Sequence, residues 1–210
     1  CSKEGIRPVM CRQERAGVNM ADSYSRIHNG NKIGVFTMQH GPGAENAFGG
    51  VAQAFADNVP ILLIPGGSTK RRVDVHPGFD AVPNYKHITK WAGRINTIER
   101  IPEMVSRAFT HLRHGRPGPV LLELPGDVGS AEVPGDIEDY EPVKTYKSFA
   151  ASEDVRDIIT ALLKAKKPII VAGQGTLYAE AWDELVEFAE LVNIPVMTSL
   201  AGKSAFPEDH

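Results

Sequence analysis

One stretch, residues 32–67, constrains the fold of this 210-residue chain more than any other. It reads KIGVFTMQHGPGAENAFGGVAQAFADNVPILLIPGG. An apolar run of strand length at 32–38 enters a Gly41-Pro42-Gly43 turn. Residues 44–56 then place Ala44, Ala47, Phe48, Val51, Ala52 and Phe55 at helical spacing, and 59–64 is apolar again. Two strands joined through a helix pair in parallel. The turn then falls at the carboxyl end of the first strand, where open α/β sheets bind their ligands.

The flanking sequence continues the alternation. Residues 5–10 have the composition of a short strand. Residues 13–28 form a helix with Ala16, Met20, Tyr24 and Ile27 on its apolar side, closed by Asn29-Gly30. Gly49, Gly50, Ala52 and Ala54 allow a neighbouring helix or backbone to come close to the helix at 44–56. Residues 65–83 lack periodicity and carry Lys70, Arg71 and Arg72; loops of this length are usually functional or mobile. A short helix at 83–90, a short strand at 90–96, a helix at 99–114 stopped by Gly115 and a strand at 119–124 follow. The expected fold class is α/β, a parallel sheet flanked by helices on both faces, over residues 1–130.

Residues 131–150, with Pro134, Pro142 and an acidic run at 136–141, read as a linker. Residues 151–210 read as the beginning of a second α/β domain. Ser152 caps a helix with Val155, Ile158, Ile159, Leu162 and Leu163 on its apolar face. A strand at 168–172, a Gly173-Gln174-Gly175 turn, a helix at 180–192 and a strand at 194–199 complete it. Both ends look cut, so a fragment of a longer polypeptide is expected.

Composition removes several classes of function. The net charge is −3 and no basic stripe is present, so nucleic acid is not an expected partner. No apolar run approaches the ~20 residues that span a bilayer, so no membrane partner is expected either. Cys1 and Cys11 have neither metal-ligand nor redox spacing, and a reduced, cytoplasmic setting fits them.

The G-x-G at residues 41–43 invites a dinucleotide reading. However, Asn46 stands where the third glycine belongs, and Pro42 has no amide to offer a phosphate. A tight strand-to-helix turn accounts for both glycines. Glu14 opens a helix, where a carboxylate is favoured by the macrodipole, yet it could equally face the crevice at Gly41. His40 directly precedes the turn and suits either a ligand contact or a structural role. Lys70, Arg71 and Arg72 suit an anion or simple solvation, and His111 and His114 read as solvated helix residues.

In combination these segments become diagnostic. RQERAGVNMADSYSRI, QHGPGAENAFGGVAQAFADNVPILLIPGG and GRPGPVLLELPGDV resemble the pyrimidine-binding domain of thiamine diphosphate-dependent enzymes, in the acetolactate synthase-like branch. Residues 164–209 resemble the start of that family's central domain. The resemblance implies a catalytic role for Glu14, whose carboxyl would hydrogen-bond a ring nitrogen of the cofactor's pyrimidine. It implies that His40, Gly41, Pro42, Gly43 and Asn46 bind the cofactor, and that His40 and Phe79 approach the substrate. It further implies a 2-keto acid substrate, decarboxylation followed by transfer or carboligation, and self-association into a dimer or tetramer. Mg2+ would be held through a C-terminal domain that this chain lacks, and FAD is a further cofactor of some relatives. The first strand of the pyrimidine domain is expected to be missing.

The chain departs from the pattern in three places. His40 replaces a small hydroxylic residue before Gly-Pro-Gly, Gly67 follows Gly66 where a glutamine is usual, and an aromatic-Gln-Glu run survives only as Gly78-Phe79-Asp80. A related decarboxylase or acyltransferase therefore fits as well as a synthase. A non-catalytic nucleotide- or flavin-binding module is the alternative of another class.

Overall fold

The computed structural model describes residues 2–135, 140–146 and 148–210. They form two compact units, Cys1–Thr145 and Tyr146–His210. Cys1 and most of the acidic run expected at 136–141 lie outside the described residues.

The first unit runs α1 (Glu14–Ile27), β1 (Gly34–Met38), α2 (Pro42–Ala56), β2 (Ile61–Gly67), α3 (Ala81–Tyr85), β3 (Trp91–Arg94), α4 (Ile101–Arg113), β4 (Val120–Pro125) and a single turn, α5 (Gly126–Gly129). The four strands pair in parallel in the order β1-β2-β4-β3. Successive side chains leave opposite faces of the sheet. Ile61, Leu63 and Leu121 pack in one core with Val18 of α1, Ala47 and Val51 of α2 and Tyr85 of α3. Leu62, Val120 and Leu122 pack in another with Met104, Ala108 and Leu112 of α4. Helices thus cover both faces, which is why β2 and β4 are apolar almost throughout.

The side of α1 that is buried is not the one its bulky residues mark. Met20 and Tyr24 are exposed and Ile27 is 75% exposed, whereas Gly17, Val18, Ala21, Asp22 and Ser25 are buried. The cause is how closely the helix approaches the sheet. A Cβ added at Gly34 would lie 2.0 Å from the Ala21 carbonyl oxygen, and one at Gly17 would lie 2.1 Å from the Phe36 ring. Only small groups fit such a contact. Within it, the Ser25 hydroxyl donates to the Pro60 carbonyl (2.6 Å) and accepts from the Gly34 amide (2.8 Å). Arg26 then bridges Asp22 (2.6 Å) and Asp57 (2.7 Å), joining α1 to the end of α2.

The buried stripe of α2 is likewise small: Gly43, Ala44, Ala47, Gly50, Val51 and Ala54. A Cβ at Gly50 would come 3.1 Å from Val18, so α1 and α2 nearly touch backbones there. Phe48 and Phe55, expected inside, are more than a third exposed. Residues 5–10 form no strand, and Ile6, Val9 and Met10 are exposed. No neighbour among the described residues supplies a ladder, and Pro8 has no amide to donate to one.

The second unit holds α6 (Ser152–Lys164), β5 (Ile170–Ala172), α7 (Gln174–Ala179), α8 (Trp182–Val192) and β6 (Val196–Thr198), with β5 and β6 parallel. Ser152 is the first residue of α6, and Ala151 takes the cap position without a side-chain bond. α6 buries none of its residues, so its expected apolar face stays open. The helix expected at 180–192 begins only at Trp182. Glu180 takes a left-handed conformation (φ 55°) and separates it from α7.

The contact between α1 and the sheet is open to test. Ser25→Ala leaves a buried amide and a carbonyl without their partner and should cost about 2 kcal/mol in urea unfolding. A loss below about 0.5 kcal/mol would show that water replaces the hydroxyl. Gly34→Ala drives a methyl into backbone and should cost about 3 kcal/mol or abolish folding, read from the thermal midpoint.

Candidate active site

All strands of the first sheet run the same way, so their carboxyl ends share one edge. β1 delivers Gln39 and His40 there, and Gly41 caps α2 at φ 69°, a conformation that disfavours any Cβ. Pro42 follows in the first helical turn, where an N–H is dispensable. A Cβ on Gly43 would meet Gln39 Cβ at 3.0 Å. The Gln39 carbonyl accepts from the Ala44 amide (3.2 Å), and the Gly41 carbonyl accepts from the Glu45 amide (2.9 Å). These two amides are thus engaged within the turn itself.

His40, Gly41 and Pro42 line a cavity of about 480 Å3 together with Glu45, Pro77, Gly78 and Phe79. Of the residues expected at a site, the structure therefore brings together His40, Gly41, Pro42 and Phe79. Glu14, Gly43 and Asn46 do not line this cavity. Glu14 is half-buried at the first turn of α1, Gly43 is buried in the turn, and Asn46 is exposed on α2. The start of α1 nevertheless runs beside α2: a Cβ on Gly49 would lie 3.8 Å from the Arg15 guanidinium. Sequence reasoning missed Glu45, Pro77 and Gly78 as lining residues. Glu45 adjoins the turn, and the other two sit in the aperiodic segment after β2.

Close to the His40 turn lies a group that sequence reasoning did not single out. Glu123, on β4, is fully buried. Its Oε1 accepts from Arg94 Nε at the end of β3, and Oε2 has no hydrogen-bond partner among the described residues. Burial pushes its carboxyl above the usual carboxylate range, against the pull of Arg94, and His40 is near enough to act on it electrostatically. Arg94 Nη2 also reaches Asp80 Oδ1 at 2.7 Å. Asp80 caps α3 by accepting from the Val82 amide (3.2 Å). The only sequence signal for this network is one acid inside the apolar run VLLELP.

The pair Gly66-Gly67 now has a physical reason. A Cβ on Gly67 would fall 2.4 Å from Glu123 Oε1, and one on Gly66 would fall 3.2 Å from the His40 amide nitrogen. One glycine makes room for the carboxylate and the other for the His40 turn. Ser68 Oγ lies 3.3 Å from His40 Nε2. From α3, the buried Tyr85 donates its hydroxyl to the Ala44 carbonyl and stacks edge-on with Phe48 and Phe79. Burial lifts its phenol well above the ordinary value.

The remaining candidates lie apart. His111 is not a freely solvated residue, since it stacks on Trp91 (5.4 Å between centroids, 11° between planes). Lys90 Nζ donates to the carbonyls of His111 and His114 and so caps the end of α4. Lys70, Arg71 and Arg72 form an exposed 3-10 turn tied by the Lys70 amide to Asp127 (3.0 Å). Cys11 is a free, half-buried thiol. No helix among the described residues is long and apolar enough to cross a membrane.

Comparison with known proteins gives the chain's relatives. The chain is 36% identical to a glyoxylate carboligase of Escherichia coli O157:H7, over 98% of its own length and 35% of that protein's. It is 32% identical to an acetolactate synthase large subunit of Haemophilus influenzae, over 97% and 36%, and 36% identical to a probable acetolactate synthase large subunit of Methanocaldococcus jannaschii, over 96% and 35%. The chain thus spans about a third of these relatives. An X-ray structure from Mycobacterium smegmatis, assigned as a thiamin diphosphate-dependent enzyme, superposes with a TM-score of 0.85 at 28% identity, over 96% of this chain and 39% of that one. Residues 1–88 match the thiamine pyrophosphate enzyme N-terminal TPP binding domain, and residues 155–210 match the central domain of the same enzymes. Two consecutive domains of one kind of enzyme, in their proper order and over more than half of the sequence, make this chain a member of the thiamine pyrophosphate enzyme family.

Proposed function

We propose that the polypeptide carrying this chain ligates 2-keto acids after decarboxylating one of them, with thiamine diphosphate as cofactor. The observation that carries this reading is the cavity at the carboxyl ends of the strands, bounded by the His40–Pro42 turn and Phe79. It suits the pyrimidine end of the cofactor. Open space stands where a side chain at Gly41 would be, an aromatic ring borders the cavity, and the Ala44 and Glu45 amides beside the turn are already engaged. The thiazolium ring of the bound cofactor supplies the electron sink that keto acid decarboxylation requires.

Glu14 serves as the proton-sharing carboxyl toward the pyrimidine. His40, Gly41, Pro42, Gly43 and Asn46 form the surroundings of that ring, with His40 and Phe79 toward the substrate. Glu14 stands half-buried at the first turn of α1. The diphosphate and Mg2+ fall to residues outside this chain, and FAD to the central domain. The name of one relative, a glyoxylate carboligase, favours glyoxylate as a substrate. A simple decarboxylase or an acyltransferase would use the same residues.

Self-association is part of the reading. Met20, Tyr24 and Ile27 on α1 and Phe48 and Phe55 on α2 remain exposed, a concentration of large apolar groups that a second copy would cover. A cytoplasmic setting belongs to the same reading, on the cysteine usage of the sequence.

Glu14→Gln in the full-length polypeptide should lower turnover of pyruvate and glyoxylate by at least ~10²-fold with an unchanged circular dichroism spectrum. Unaltered turnover would remove Glu14 from the mechanism. The 210-residue chain alone should bind thiamine diphosphate weakly and show no decarboxylation. Measurable carbon dioxide release from pyruvate by that chain would refute the expected division of the site. A flavin absorption band in the purified full-length protein decides whether FAD is bound.

A further inference from the structure

The buried charge network beside the cavity is not needed to explain the fold. A carboxylate inside a parallel sheet is costly unless paired, and replacing such a pair by apolar residues is often neutral or stabilising. Here one acid, Glu123, is fully buried with a single partnered oxygen. Its partner Arg94 does not stop at that contact. Nε goes to Glu123 while Nη2 goes to Asp80, so the planar guanidinium joins the sheet to the segment after β2. Lysine could not hold both acids in that way.

Asp80 is where the long aperiodic segment becomes ordered. Its carboxylate caps α3, and its carbonyl accepts from Asn84 Nδ2 (2.7 Å). The residue before it is Phe79, and Phe79, Gly78 and Pro77 are the part of the cavity lining that comes from this segment. On the opposite side of the network, Gly67 leaves room for the Glu123 carboxylate, and His40 acts on it electrostatically. The His40 turn and the Phe79 segment thus border one network, the first through the electrostatic reach of His40 to Glu123 and the second through Asp80 and Arg94.

We propose that Glu123 and Arg94 are positioning residues that fix Phe79 at the cavity through Asp80 and so set which 2-keto acid side chain it accepts. This rests on the function proposed above for its substrate class, and on the geometry alone for the positioning.

Two variants of the full-length polypeptide test it. Arg94→Lys keeps a cation beside Glu123 but cannot span to Asp80. Asp80→Asn leaves the Arg94–Glu123 pair in place and keeps an oxygen for the α3 cap, while removing the charge that Arg94 Nη2 meets at that same Oδ1. Hydrogen exchange of amides 78–82 is measured first, without substrate. Steady-state kinetics follow with glyoxylate, pyruvate and 2-ketobutyrate, with thiamine diphosphate and Mg2+ present. Exchange over 78–82 should speed up roughly tenfold in both variants, with the thermal midpoint held. KM should rise roughly tenfold and differently for the three acids, while kcat moves less than about threefold. Unchanged exchange in Asp80→Asn overturns the positioning role, even if Arg94→Lys fails to fold. Faster exchange with KM and kcat falling away together, or neither moving, overturns the role in substrate choice and leaves a structural staple. A wild-type protein inactive on all three acids sinks the proposed function instead, and the exchange rates still decide the positioning.

Discussion

The contact between α1 and the edge of the sheet governs much of the first unit. The Gly34 backbone passes under the Ala21 carbonyl so closely that no Cβ could be added, and one hydroxyl, that of Ser25, serves both the β1 amide at Gly34 and the carbonyl at Pro60 before β2. Neither group could find water in that position, so the serine replaces solvent for two strands at once. The close fit fixes the depth of α1. Its depth in turn fixes where the helix begins, and hence where Glu14 stands relative to the strand ends. Gly17 against Phe36 repeats the constraint one turn from that start.

The same contact explains what the sequence conceals. Periodicity places α1 within one residue at each end, because an amphipathic repeat survives whichever side is buried. Bulk, however, points to the wrong side. Where helix and strand backbones nearly touch, the buried positions must be Gly, Ala and Ser, and the large apolar residues are turned outward. α2 repeats the lesson with Phe48 and Phe55, while the sheet, packed at ordinary distance, shows its interior plainly as ILLI and VLLELP. The break at Glu180 is hidden for another reason. Glutamate seldom takes φ of 55°, and nothing in the local composition marks the position as a helix end.

At the site, the local part was legible and the distant part was not. Gly-Pro-Gly states its own backbone requirements, so the turn and its place at a strand end followed from three residues. The segment at 65–83 stood out only as an aperiodic loop and Phe79 entered only through family resemblance, since the link to the sheet depends on Arg94 and Glu123, which are remote in sequence and unremarkable singly. A lone acid in an apolar strand was the one available sign. It becomes meaningful only beside a guanidinium that the fold, not the spacing, delivers.

That network makes sense of one departure from the family pattern, the glycine at position 67. A side chain at position 67 and a carboxylate at position 123 compete for the same space, because a Cβ on Gly67 would stand 2.4 Å from Glu123 Oε1. The absence of glutamine after Gly66 is therefore the other half of having a glutamate on β4. Position 66 is coupled to the His40 turn in the same manner, through the 3.2 Å approach of a Cβ there to the His40 amide. Two adjacent glycines on β2 thus admit two polar groups, one on the strand beside it and one in the turn above. Restoring a side chain at 67 without removing the acid at 123 would force the carboxylate off Arg94 and strand a buried charge. The two positions must change together, and any relative that differs at one should be expected to differ at the other.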